Sequence, residues 1–197
     1  MLFLSMNQLF QPHLQTTRIS YYLVNQRVYD SLFSGEYSDV EIMKFFGFAD
    51  PLEVSLEKER YLAGLSTYNR TFSYFFLKEI DTDRLLGQIG FHTLAPLHHR
   101  GELFYSIKSA SHRREGYMNE AFPLVINFGF NELDLNRIEA ITGSENIASV
   151  SLLQKFGFVY EGLLREHYKA GDNIEDSLMF SLLKSENPFD LDFGLDQ

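Results

Sequence analysis

The sequence predicts a mixed α+β fold of the α/β class: one mixed central sheet of about six to seven strands with helices on both faces. Three observations lead there. Short runs rich in aromatic and β-branched residues recur along the chain, three of them follow one another without a helix between, and from Gly101 onward such runs alternate with segments whose apolar residues fall three and four apart, a β-α-β-α-β centre. The chain has 197 residues, of which 45% are hydrophobic. That is enough for one substantial core, so a single domain over residues 1–186 is expected, followed by an acidic tail over 187–197.

Taken in order, Arg18–Val24 reads as a strand and Asn25–Ser34 as a short helix with Val28, Leu32 and Phe33 inward. Asp39 is expected to cap a helix over Val40–Phe46, and Pro51 suits the first turn of another that runs through Leu52, Leu56, Leu62 and Leu65. Phe72–Leu77 and Leu85–Thr93 are apolar, and the turn chemistry of Ile80-Asp-Thr-Asp83 between them predicts a hairpin. Gly101–Ile107 is the next strand, reached through Thr93–Gly101, the longest connection and still short enough for one compact domain. From Gly116 the pattern becomes helical, with Ala121, Leu124, Val125 and Phe128 on one face and Gly129 and Asn131 near its end. Pro123 falls inside that helix, where it costs about 3 kcal/mol unless the backbone yields, so a bent or shifted first turn is expected. Arg137–Thr142 is a strand, Ile147–Phe156 a helix and Val159–His167 a strand, with Ile174–Leu183 a last strand after the Gly171-Asp-Asn173 turn. The tail from Asn187 sets Asp190, Asp192 and Asp196 among Phe189, Leu191, Phe193 and Leu195 and is expected to be loosely held.

Composition excludes several chemistries. With no cysteine there is no disulfide framework, no thiolate metal site and no cysteine nucleophile, and a reducing cytoplasm fits. The apolar run at the N-terminus is too short for a signal peptide, and no stretch reaches membrane-spanning length. The net charge of -10 argues against nonspecific nucleic-acid binding and favours approach of a basic substrate, although an acidic surface alone also accounts for it. His92, His98 and His99 cluster before Arg100, but no carboxylate stands at a metal-ligand spacing from them, so no metal is expected. Most of the phenylalanines and tyrosines fall at apolar-periodic positions and read as core.

The segment His112-Arg-Arg-Glu-Gly-Tyr-Met-Asn119 lies between a predicted strand and a predicted helix, where unpaired helix-start amides converge near one glycine. Gly116 lets the backbone approach an anion closely, and Arg113 and Arg114 add positive charge. A plain turn also fits these residues. The run Arg113-Arg-Glu-Gly116-Tyr-Met118 resembles the Gln/Arg-x-x-Gly-x-Gly/Ala signature of the GNAT acetyltransferases, with Met118 at the small position. Thr16-Thr-Arg-Ile19 is similar to the Thr-x-Arg-Leu opening of the RimJ/RimL-like branch, the ribosomal-protein N-terminal acetyltransferases. Gly87-Gln-Ile-Gly-Phe91, Glu102-Leu-Phe-Tyr-Ser-Ile107, Leu135-Asn-Arg-Ile-Glu-Ala140, Glu145-Asn-Ile-Ala-Ser149, Leu153-Gln-Lys-Phe-Gly-Phe158 and Glu161-Gly-Leu-Leu-Arg165 follow in that family's order, and Phe104 stands where the branch often has glycine.

The resemblance implies a GNAT fold whose sheet is splayed between its fourth and fifth strands, here Gly101–Ile107 and Arg137–Thr142, with acetyl-CoA as cosubstrate and no metal. Backbone groups of Tyr105, Ser106 and Ile107 would bind pantetheine, and Arg113, Arg114, Glu115, Gly116, Tyr117, Met118 and Asn119 the pyrophosphate, while Asn146 would hold the pantetheine arm. Acetyl transfer would be direct, to a primary amine: a protein N-terminal α-amine, possible in a ribosomal context, or a small-molecule amine. Glu102 is the first candidate for the base, ahead of Glu166 and Tyr168. The tyrosine that many GNAT enzymes use to protonate the thiolate is replaced by Leu153, and Ser149 is the alternative donor unless Asn146 and Ser149 merely cap their helix. Tyr21, Tyr22, Phe45, Phe46 and Phe48 could wall the acceptor side. A non-catalytic acyl-CoA-binding or sensor module is the other expectation, motivated by Leu153 and Met118. The expected protein is a cytoplasmic monomer or homodimer that binds neither nucleic acid nor membrane.

Overall fold

The structure is a computed structural model that describes residues 4–63 and 71–189. The chain forms two compact units, one from residues up to Thr93 with Tyr105–Tyr117, the other from Leu94–Phe104 with Met118 onward.

The first unit opens with a short helix α1 (Met6–Leu9) and a two-residue strand β1 (Leu14–Gln15), neither of which has a legible sequence pattern. Strand β2 (Ile19–Asn25) then pairs antiparallel with β3 (Ser73–Glu79), from Ile19↔Glu79 to Asn25↔Ser73, and β3 pairs with β4 (Leu85–Ala95) through a bulge at Leu77/Lys78. Ile19, Tyr21, Val24, Phe75, Leu77, Leu86, Ile89 and Phe91 are closed off from solvent and make its core. Gly87 sits where the sheet admits no side chain, since a Cβ there would run into the Ser106 carbonyl.

Between β2 and β3 the described residues form α2 (Gln26–Leu32), α3 (Asp39–Phe46) and α4 (Pro51–Leu62). The Asn25 side chain caps α2 by accepting from the Val28 amide at 3.2 Å. Val28 and Leu32 are buried as expected, but Tyr29 and Ser31 take the place given to Phe33, which is half-buried. The cap of α3 is Ser38 and not Asp39: Ser38 and Glu41 form a reciprocal capping box, and Asp39 becomes the first helical residue, where its charge suits the helix dipole. Asp50 caps α4 ahead of Pro51, yet Val54 is the buried residue of that helix, and Leu52, Leu56 and Leu62 are 61%, 49% and 72% exposed. Leu65 lies outside the described residues.

The second unit takes in the start of β5 (Arg100–Ile107), then α5 (Tyr117–Asn131), β6 (Arg137–Gly143), α6 (Ile147–Lys155), β7 (Val159–Ala170) and β8 (Asn173–Leu183). Its strand order is β5-β6-β8-β7, with β5 parallel to β6 and the remaining pairs antiparallel. The fold is thus the mixed α/β architecture expected, with eight strands among the described residues rather than six or seven because the two-residue β1 adds to them. Helix α5 begins directly after Gly116 and runs through Pro123 without interruption, so the first turn is not shifted. The proline leaves the Asn119 carbonyl without its helical donor. Besides Ala121, Leu124, Val125 and Phe128, residues Phe122, Ile126 and Phe130 are buried, which makes α5 apolar nearly all round. The start of the expected loose tail is anchored: Asn187 Nδ2 donates to Asn127 Oδ1 at 2.7 Å, and the Phe189 ring lies 5.6 Å from that of Phe156. Residues 190–197 lie outside the described residues. Among the described residues no helix is long and apolar enough to cross a membrane.

Candidate active site

The turn before α5 has a backbone suited to anions. Arg114 and Gly116 take left-handed φ angles of 67° and 82°, either side of Glu115. Left-handed residues set among right-handed or extended ones turn successive amides toward one side, and the first four amides of a helix have no acceptor of their own. The turn is also braced within its unit. Arg18 Nη1 donates to the Glu115 carbonyl at 3.1 Å, and its guanidinium lies 4.7 Å over the Tyr117 ring. Tyr117 is buried and its hydroxyl donates to Glu79 Oε1 at 2.6 Å. Glu79 also accepts from Thr82 at 2.6 Å and from Arg84 at 3.1 Å. The Thr82 and Tyr117 hydrogen bonds, with the Arg84 and His112 charges, hold the Glu79 carboxyl below its ordinary range. Arg18 and Glu79 were not singled out as part of this turn by sequence, and for Arg18 the Thr16–Ile19 motif was the available signal.

Strand β5 pairs with β6 over three residues, Arg100↔Arg137, Gly101↔Ile138 and Glu102↔Glu139, and no further, although both strands continue. That is the strand separation expected at this place. Beyond it, Tyr105 and Ile107 are half-buried and Ser106 is exposed. Glu102, the last paired residue of β5, has its carboxyl pushed up to about 7, by burial first and then by the facing Glu139, against a smaller opposing pull from Arg100. Its neighbours form an ordered chain of charges: Arg100 donates to Glu139 at 2.8 Å, Arg137 Nε to the same carboxylate at 2.9 Å, and Arg137 Nη1 and Nη2 to Glu161 at 2.8 and 2.5 Å. Two guanidinium groups thus contact the Glu139 carboxyl, and Glu139 adds to the burial that opposes ionisation of Glu102.

At the start of α6, Asn146 is the N-cap: its Oδ1 accepts from the Ser149 amide at 3.2 Å, and Ser149 is buried. Leu153 is buried one turn further on. Asn119 accepts from Lys155 Nζ at 2.5 Å, which ties the first turn of α5 to the end of α6, and Met118 is half-buried beside it in sequence. Phe104 is half-buried too. Glu166 is exposed in a left-handed conformation, its amide donating to Asp176 at 2.6 Å, and Tyr168 is 46% exposed against the His167 ring. In the first unit Tyr21, Phe45 and Phe46 are buried and Tyr22 and Phe48 are half-buried, with Phe46 stacked on Phe48 at 5.0 Å. Among the described residues no group of three or more His, Cys, Asp or Glu is arranged to hold a metal ion.

Comparison with known proteins gives a consistent picture. Residues 24–159 match the family model described as the Acetyltransferase (GNAT) domain. The chain is 31% identical to the uncharacterized N-acetyltransferase YoaA of Bacillus subtilis (strain 168), over 88% of this chain and 97% of that protein. Among solved structures, a probable GNAT-family acetyltransferase from Chromobacterium violaceum superposes with a TM-score of 0.63 at 24% identity, covering 89% of this chain and 88% of the other. The spermidine/spermine N-acetyltransferase SpeG of Vibrio cholerae gives 0.62 at 18% identity, over 86% and 94%.

Proposed function

The chain belongs to the GNAT acetyltransferase family, and from that premise we propose that this N-acetyltransferase moves the acetyl group of acetyl-CoA directly onto the primary amine of a small cationic acceptor. The observation that carries the reading is Glu102, which ends the short β5–β6 ladder and keeps its proton up to about pH 7. A base with a pKa close to the working pH transfers protons most effectively.

The residues present fit a CoA group. The alternating left-handed turn at Arg114 and Gly116 and the amides through Asn119 would hold the pyrophosphate, with Arg113 and Arg114 adding charge. The backbone of Tyr105, Ser106 and Ile107, beyond the end of the β5–β6 ladder, would carry pantetheine. Acetyl-CoA supplies the acyl group and a thiolate that leaves. Glu102 takes a proton from the amine as its nitrogen bonds to the acyl carbon, and the carbon–sulfur bond breaks. A β5 amide donates to the oxygen that becomes negative, and Ser149 returns a proton to the sulfur. Asn146 uses its oxygen on the helix cap, leaving its NH₂ for the pantetheine arm. With no cysteine in the chain, no acetyl-cysteine intermediate can form.

A net charge of -10 favours approach of a cationic amine, and SpeG, whose fold this chain shares, is named for polyamine acceptors. The Thr16–Ile19 opening supports the second reading, a RimJ/RimL-like enzyme acting on protein N-termini, whose α-amine pKa near ~8 asks less of a base than a lysine at about 10.4. Incubation with acetyl-CoA and a panel of polyamines, other small amines and N-terminal peptides, followed by measurement of free thiol, tests both. Thiol release that depends on a polyamine is expected. Release with peptides alone would move the acceptor to N-termini, and none with any amine would overturn acetyl transfer.

A further inference from the structure

A cleft of about 760 Å³ in the first unit adjoins the turn before α5, with which it shares His112, and basic side chains dominate its charge. Lys44 comes from α3, Lys78 from β3, Arg84 from the turn between β3 and β4, and Lys108 from the residue after β5, while Asp83 is the one carboxylate lining it. In a chain of net charge -10 this reverses the prevailing sign. The cations are fixed in place. The Lys78 side chain is 7% exposed and its ammonium lies 3.2 Å from Asp83, which cancels one charge. Lys108 Nζ donates to the Gly47 carbonyl at 2.7 Å, a neutral acceptor that leaves its charge uncompensated. Lys44 lies 5.4 Å over the Phe10 ring, again with no formal charge opposite. Arg84 shares Glu79 with Thr82 and Tyr117. In the same wall His112 is buried, with its Nδ1 meeting no hydrogen-bond partner among the described residues.

Like charges gathered into a recess repel one another, and a low-dielectric wall strengthens that repulsion compared with open water. An anion placed among them removes the repulsion and is attracted by all of them at once. Ser109 and Ser111, whose hydroxyls lie 2.9 Å apart, add neutral donors at the rim. We infer that this cleft is a binding site for a phosphate-bearing anion, built on Lys44, Lys78, Arg84 and Lys108 and separate from the amides at the start of α5. The site does not depend on the acetyl-transfer reading, because a phosphate group would bind here with or without an acyl donor. A free phosphorylated small molecule and the 3′-phosphate of CoA carry the same chemistry.

The test is titration of inorganic phosphate into the whole protein at low salt, followed by calorimetry or phosphorus NMR, with wild type and a Lys44→Ala/Lys108→Ala double variant. Both lysines are exposed, so the fold is expected to survive, and an unchanged circular dichroism melt checks it. Saturable binding that weakens at least tenfold in the double variant, but less than twofold in an Arg113→Ala/Arg114→Ala control, is the expected result. No saturable binding, equal binding in the lysine variant, or loss confined to the arginine control would overturn the proposal. A second arm separates the sources by comparing CoA with 3′-dephospho-CoA. If the lysine variant weakens CoA at least fivefold more than its dephosphorylated form, the site serves CoA itself, and if it weakens the two alike while losing inorganic phosphate, the ligand is a separate phosphorylated molecule.

Discussion

Arg18 and Glu115 lie 97 residues apart in the chain, yet Arg18 Nη1 donates to the Glu115 carbonyl oxygen at 3.1 Å. That carbonyl is in the middle of the turn that leads into α5, between the two left-handed residues Arg114 and Gly116. Arg18 thus holds the conformation of the turn without supplying any of its amides. Its replacement by alanine removes a charged hydrogen bond of about 1.5–3 kcal/mol. The KM for acetyl-CoA is expected to rise by roughly tenfold to a hundredfold with kcat little changed, and Arg18→Lys to recover part of the loss. Steady-state kinetics with one acceptor at saturation reads this directly.

Arg114 carries a φ of 67° that glycine adopts without strain. A non-glycine residue held there costs about 1–3 kcal/mol, partly offset by the greater chain entropy that glycine would lose on folding, about 0.4–1 kcal/mol. Arg114→Gly is therefore expected to raise stability in a urea titration by about 1 kcal/mol while raising the KM for acetyl-CoA, since the guanidinium is gone. A variant that is less stable than wild type would show that the arginine side chain contributes packing that outweighs its backbone strain.

Gly87→Ala is expected to destabilise the protein by about 1–3 kcal/mol, because the new methyl meets a backbone carbonyl, that of Ser106, which cannot swing aside as a side chain would. The same substitution disturbs β5 next to Tyr105 and Ile107, so acetyl-CoA binding is expected to weaken together with the melting temperature.

The Glu161 carboxyl is held down at about 2 by hydrogen bonds from Arg137 and then Ser181. A carboxyl depressed in the folded state adds stability above its ordinary value of about 4.5, and that contribution is lost as pH falls from there toward about 2. Because Glu161 is more than one third exposed, the contribution is screened to about 1 kcal/mol or less. Glu161→Gln is expected to match wild type in acid melts near pH 2 and to fall slightly below it at neutral pH.

The order of the longer elements was legible because aromatic and β-branched runs alternate with segments of apolar spacing three and four, and the Ile80–Asp83 and Gly171–Asn173 turns mark boundaries with residues suited to turns. What periodicity does not carry was missed. Strand β1 is two residues long and has no period to read, and α4 shows an apolar stripe that the structure leaves exposed. The capping of α3 slipped by one residue because Ser38 and Asp39 are both good caps, and the reciprocal bond to Glu41 decides between them. At the candidate site, Gly116 and the helix start were visible, whereas the left-handed Arg114 was not, since arginine gives no sign that it will take a conformation it rarely adopts. Glu102 is legible from its place near the head of β5. Its proton is held by burial first and by Glu139 second, and both follow from the tertiary fold, Glu139 through strand register across 37 residues, which no local pattern encodes.

Glu102 also offers the most direct test of acetyl transfer. A carboxyl raised to about 7 must lose its proton before it can accept one from the amine, so activity through it is expected to fall as pH drops below about 7. The amine titrates as well, but identically for wild type and Glu102→Gln assayed with the same acceptor. The ratio of their rates of amine-dependent thiol release from acetyl-CoA, taken between about pH 5 and about pH 9, therefore isolates Glu102. That ratio is expected to climb with pH, pass its midpoint at about 7 and level off at about a hundredfold or more. A ratio that stays close to one across the range would contradict a base at Glu102 and the mechanism built on it.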